Sequence, residues 1–167
     1  MRPEVYEVKC DRGLDLSQAH VLDRFSLPWR EVECPTPHFR AVWNERVFSF
    51  RFDVTDNNIV LGESEDAGEA ALRSDRGELF FATKPDLKEP YYGAEMSPAG
   101  RVYDYKATLY REIDPTWSFE TLTFGGRIRA EGYSVSGQIR LEVLQDLVLI
   151  SDGAMRSGIF RAEFSQV

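Results

Sequence analysis

Strict alternation over Val47–Val54 constrains the fold of this chain more than any other feature. Phe48, Phe50, Phe52 and Val54 fall on one side of an extended segment, and Ser49, Arg51 and Asp53 on the other. A period of two belongs to a strand with one buried and one solvated face. The preceding run, HFRAVW, alternates as well, and Asn44 and Glu45 between the two predict a hairpin. The same pattern returns in ELFFA, YYGAEMS, RVYDYKATLY, SFETLTF, RIRAEGYSVSGQIRLEV and GIFRAEF, with turn residues between the runs. EVYEVKC reads as a first strand, GLDLSQAHVLDRFSLPW as a short helical turn or a pinned loop, and LQDLVLI as one helical turn. Gly125–Gly126 reads as a reversal, and the acidic LGESEDAGEAAL as a solvated loop. Many short strands without a strong amphipathic helix predict an all-β chain, a jelly-roll-like β-sandwich of two antiparallel sheets occupying 1–167 as one domain.

Composition narrows the function. A net charge of −8 argues against nucleic acid or an anionic membrane as partner, because both need a basic surface. There is no run of about 20 apolar residues to span a bilayer. The segment MRPEVYEVKCDRG has no apolar core of a secretory signal, which leaves both a cytoplasmic location and an exported, processed form open. Cys10 and Cys34 fit one disulfide or two buried thiols. P-loop, dinucleotide and nucleophile-elbow motifs are absent, and His20 and His38 have no Cys or His at metal-ligand spacing.

The stretch Ser74–Tyr110 holds the candidate site. Sorting its three strands by alternation sets Arg76, Glu78 and Phe80, then Tyr91, Gly93 and Glu95, then Asp104 and Lys106 on one expected face. Leu79, Phe81, Tyr92, Met96, Tyr103 and Tyr105 fall on the other. Carboxylates and a guanidinium in fixed positions suit sugar hydroxyls, and aromatic planes suit the C–H faces of a sugar ring. Arg76, Glu78, Glu95 and Asp104 are therefore the expected hydroxyl ligands. Trp117, in the turn IDPTW, and Tyr91 are the expected stacking platforms. Against this stands a plain salt-bridge ladder on a solvated face. Trp43 is assigned to the core beside Phe39 and Ala41, and Trp29 to anchoring the N-terminal loop. In the last strand Phe160, Ala162 and Phe164 are expected inside, with Arg161 and Glu163 outside. Asp53, Asp56 and Asn58 supply hard oxygen ligands of the kind Ca2+ takes, with a simple turn as the rival explanation. Glu78 and Glu95, if opposed, also raise a jelly-roll glycoside hydrolase as an alternative. An interaction domain that binds no sugar is the other.

With these residues in hand, the chain resembles the family 9 carbohydrate-binding modules and their relatives. Asp75, Glu78 and Phe80 match an acidic D-x-x-E-x-F-like strand; Tyr91, Glu95 and Gly100 fit the strand that follows it. Trp43 and Asp56 lie in a segment similar to the family's tryptophan-containing strand pair. The resemblance covers about Phe39 to Phe164. It implies a non-catalytic jelly-roll domain, of a kind often attached to xylanases, that binds xylan- or glucan-type sugars. Sugars in that family are gripped between aromatic side chains, and structural calcium is an optional cofactor. Trp117 is the one loop tryptophan that matches such a clamp, with Tyr91 as its candidate partner. A carbohydrate ligand and a monomeric state are the expectations.

Overall fold

The computed structural model describes residues 5–26, 37–109, 112–114 and 116–164. Trp29 and Cys34 lie outside the described residues; Cys10 is an exposed free thiol. The strands are β1 Lys9–Cys10, β2 His38–Trp43, β3 Val47–Thr55, β4 Arg76–Ala82, β5 Tyr91–Met96 and β6 Val102–Thr108. They continue with β7 Glu112–Asp114, β8 Thr123–Arg129, β9 Gly132–Arg140, β10 Ile150–Ser151, β11 Ala154–Met155 and β12 Ser157–Ala162. Two short helices join them, α1 Ala67–Leu72 and α2 Leu141–Asp146, and Leu16–Gln18 forms a 3-10 turn. One five-stranded sheet (A) runs β1-β2-β3-β9-β8 and a second (B) runs β12-β4-β5-β6-β7, with a separate β10-β11 hairpin. All pairings are antiparallel except that of β1 with β2, so the expected sandwich of two antiparallel sheets is what forms.

The alternation seen in the sequence builds the core directly. Phe48, Phe50, Phe52 and Val54 of β3 and Tyr133, Val135 and Ile139 of β9 point inward from sheet A. Leu79, Phe81, Tyr92, Ala94 and Met96 meet them from sheet B. Burying such aromatic and aliphatic faces against each other is the main source of stability.

Several expectations change. Gly125 and Gly126 lie inside β8, and the chain reverses at Ala130–Glu131. The acidic connection forms α1: the Asp66 side chain accepts from Glu69 N (2.8 Å), a capping signal that a reading of composition passes over, while Ala70 and Ala71 bury. The N-terminal strand shrinks to Lys9–Cys10. Trp43 is exposed at the end of β2, its Nε1 donating to Val8 O.

The closing strand inverts its predicted faces. β12 sets Phe160 opposite Glu78 and Arg161 opposite Gly77, so Phe160 faces out, 53% exposed, and Arg161 faces in. Inside, Arg161 Nη2 pairs with Asp56 Oδ2 at 2.5 Å, both side chains only 4% exposed. A buried ion pair adds little over an apolar pair, but removing one partner strands a charge. Arg161→Ala is therefore expected to cost about 3–5 kcal/mol in urea unfolding. A loss below about 1 kcal/mol would show that Asp56 does not depend on this partner.

Candidate functional site

Register decides which side chains share the open face of sheet B. β5 and β6 are joined through Pro98–Gly100, with Ser97 N bonded to Arg101 O and Gly100 at φ +77°. A three-residue hairpin with a left-handed glycine pairs odd positions with odd ones here. Glu95 thus faces Tyr103, Gly93 faces Tyr105, and Asp104 pairs with Ala94 on the inner side. This overturns the expected placement of Asp104. Its Oδ2 accepts from Phe119 N at 2.6 Å, which makes it an anchor for the loop after β7. Tyr103 and Tyr105 take the outer positions instead.

Across β4, Glu78 stands opposite Glu95, and Phe80 opposite Gly93. Two like charges in this position repel. Arg76 compensates: its Nη2 reaches Glu78 Oε1 and its Nε reaches Glu95 Oε2, each at 2.8 Å. The three side chains are 11%, 13% and 8% exposed. The remaining end of the guanidinium, Nη1, donates to Leu72 O (3.1 Å) and Ser74 O (3.3 Å), at the close of α1. The Phe164 ring covers it, centroid 5.8 Å from Cζ, and is held there by Phe164 N donating to the buried Asp75. Nearly all of the donors of Arg76 are thus spent on the protein. It positions the two carboxyls.

Around this cluster the face is aromatic. Phe80 meets Tyr105 and Phe160 edge-on, at centroid distances of 6.5 and 5.5 Å; Tyr105 also meets Tyr91 and Tyr103. Gly93 permits this arrangement, because a Cβ there would lie 2.7 Å from Tyr105 Cζ. The Tyr105 hydroxyl donates to Glu95 Oε1 at 3.3 Å. Together these side chains line a cleft of about 760 Å³ that runs from Arg76, Glu78 and Glu95 past Phe80 and Tyr105 to Tyr91, Lys84 and Arg156. Of the expected site residues, Arg76, Glu78, Tyr91 and Glu95 come together. Trp117 does not. It packs at 4.9 Å from Tyr92 and 4.6 Å from Phe119, on the core side of the sheet. Sequence reasoning missed Phe160, Tyr103 and Tyr105 because it set the parity of β12 and β6 without their partners.

The calcium set also comes apart. Asp53 faces outward from sheet A, where Arg51 Nε and Nη2 donate to it and Arg40 and Arg129 lie at 3.4 Å. Asp56 points inward to Arg161 and accepts from Asn58 N in a turn. Carboxylates on opposite faces, each already neutralised by arginine, do not fit a shared cation. Among the described residues no cluster of three His, Cys, Asp or Glu assembles elsewhere.

Glu78 and Glu95, the pair of the hydrolase alternative, are both held by one guanidinium, each 2.8 Å from Arg76.

Burial, and then the charge of Glu95, push Glu78 up to about 7 against the pull of Arg76. Between its ordinary value of 4.5 and about 7, the folded protein holds a proton that the unfolded chain has released. Stability is therefore lost as pH rises through that window. Glu78→Gln should gain about 1–3 kcal/mol relative to the parent on going from about pH 5 to about pH 8. A difference in urea midpoints that does not change with pH would contradict a proton held on Glu78 in this window.

Comparison with known proteins bears on the whole arrangement. A protein from Bacteroides uniformis ATCC 8492, inferred to bind carbohydrate, is similar in structure with a TM-score of 0.59 at 18% identity, over 80% of this chain and 63% of that one. A family 9 carbohydrate-binding module from Caldicellulosiruptor kristjanssonii in complex with glucose gives 0.52 at 12% identity, over 84% and 65%. The same organism's module with cellotriose gives 0.51 at 13%, over 84% and 64%. The chain thus spans slightly less than two thirds of the length of these structures. No curated protein matches the sequence. The model of the family described as "Carbohydrate family 9 binding domain-like" matches residues 17–162. By that match over nearly the whole sandwich, the chain belongs to the carbohydrate family 9 binding domain-like proteins.

Proposed function

We propose that this domain binds an oligo- or polysaccharide, without catalysing its cleavage, in the cleft on the open face of sheet B. The observation that carries the reading is the Arg76-held carboxyl pair set among Phe80, Tyr91, Tyr103, Tyr105 and Phe160 on one face. A sugar ring has apolar C–H faces and a rim of hydroxyls, and so needs aromatic planes and fixed polar groups together. Phe160 and Tyr91 supply planes that solvent reaches. Glu78, Glu95 and the Tyr103 hydroxyl supply acceptors and donors. Arg76 acts through the carboxyls rather than on the sugar. Family membership supports the reading, as do the glucose and cellotriose held by structural neighbours. Calcium enters as neither ligand nor cofactor in this proposal.

Titration calorimetry with cellotriose and xylotriose tests it. Binding at millimolar sugar is expected, and Phe160→Ala and Tyr91→Ala should each weaken it about 3- to 10-fold. Trp117→Phe should leave the affinity in place while lowering stability, since that ring packs on the core. Silence across a broad panel of oligosaccharides, or a loss of binding confined to Trp117→Phe, would overturn the assignment.

A further inference from the structure

The cleft is electrically polarised along its length. At one end stand Glu78 and Glu95, with the guanidinium of Arg76 already consumed. At the other end stand Lys84 and Arg156. The Lys84 ammonium is engaged by Glu89, so its charge is answered within the protein. Arg156 is different: among the described residues no side chain or backbone group pairs with its guanidinium. Its place is nevertheless fixed. Arg156 lies between the β10-β11 hairpin and β12, and its backbone oxygen accepts from Ala82 N at 3.1 Å. That bond extends the β12-β4 register by one step, onto the outward-facing parity of Glu78 and Phe80. From Glu78 to Ala82 the strand advances about 13 Å, more than one sugar ring. In a chain of net charge −8, the open end of this cleft is held by an uncompensated cation.

We infer that the cleft selects saccharides bearing a carboxylate, a uronic acid residue being placed on Arg156 while a neutral portion of the ring system reaches the Glu78–Glu95 end. The inference rests on the cleft being the sugar site. A guanidinium recognises a carboxylate through two parallel N–H···O bonds, stronger than its bonds to neutral hydroxyls. The opposed carboxyls at the far end repel the same anion, so the charge pattern fixes the direction of the chain as well as its class.

A matched pair of ligands isolates the claim. Cellotriose and a cellotriose in which one terminal ring is oxidised to glucuronic acid share linkage and ring stereochemistry and differ only at that C6. Calorimetry at about 10 mM ionic strength, where charges act over a Debye length of about 30 Å, should show the acid binding at least about tenfold tighter. Added salt should narrow that gap. Arg156→Gln should abolish the preference, and Arg156→Glu should reverse it; thermal melts of both variants check that the fold is retained. Equal affinities, or a preference that survives Arg156→Gln, would overturn the inference while leaving the cleft reading intact. Failure of both trimers to bind would overturn the two together.

Discussion

Glu78 and Glu95 oppose each other across one strand pair, and the guanidinium of Arg76 is what makes that placement tolerable. Everything distinctive about the outer face follows from this bridge. Arg76 is in turn held by the last carbonyl of α1, by Ser74 O and by the ring of Phe164. The short helix that leads into β4 and the segment that follows β12 thus serve to aim one side chain. A carboxyl pair bridged in this way is rigid before any ligand arrives, which lowers the entropic cost of recognition.

Much of the sandwich was legible because period-two alternation survives wherever one face is buried. β3 shows this best, with Phe48 to Val54 inward throughout. What alternation cannot show is that the row carrying the charges is the one that faces the partner sheet. In β6 Tyr103 and Tyr105 share one row, and alternation alone sends them inward because Asp104 and Lys106 look like the solvated row. The three-residue turn at Pro98–Gly100 decides otherwise, and reading its length together with the strands would have found the answer. In β12 the error has another source. Arg161 looks like a surface residue until Asp56, more than a hundred positions away, supplies its buried partner. Long-range neutralisation of this kind leaves no local signal.

The candidate site divides along the same line. Arg76, Glu78, Tyr91 and Glu95 lie on adjacent strands joined in sequence order, so counting residues was enough to bring them together. Phe160 comes from the far end of the chain, and only the β12-β4 pairing delivers it to the cleft. The tryptophans illustrate the opposite failure. Trp117 was singled out for its residue type and its turn, yet Tyr92 and Phe119 absorb it into the core. Tyrosine and phenylalanine therefore supply the aromatic surface here. In the family to which the chain belongs, the resemblance had led us to expect tryptophan in that role.

A saccharide held by the Arg76-bridged carboxyls and the aromatics around them touches the open face of sheet B. Backbone amide shifts in a heteronuclear NMR titration with a soluble trisaccharide locate that contact directly. The largest shifts are expected on Glu78, Phe80, Gly93, Glu95, Tyr105 and Phe160, in β4, β5, β6 and β12. Shifts concentrated on the outer face of sheet A, around Arg51 and Ser136, or on the loop carrying Trp117, would contradict it.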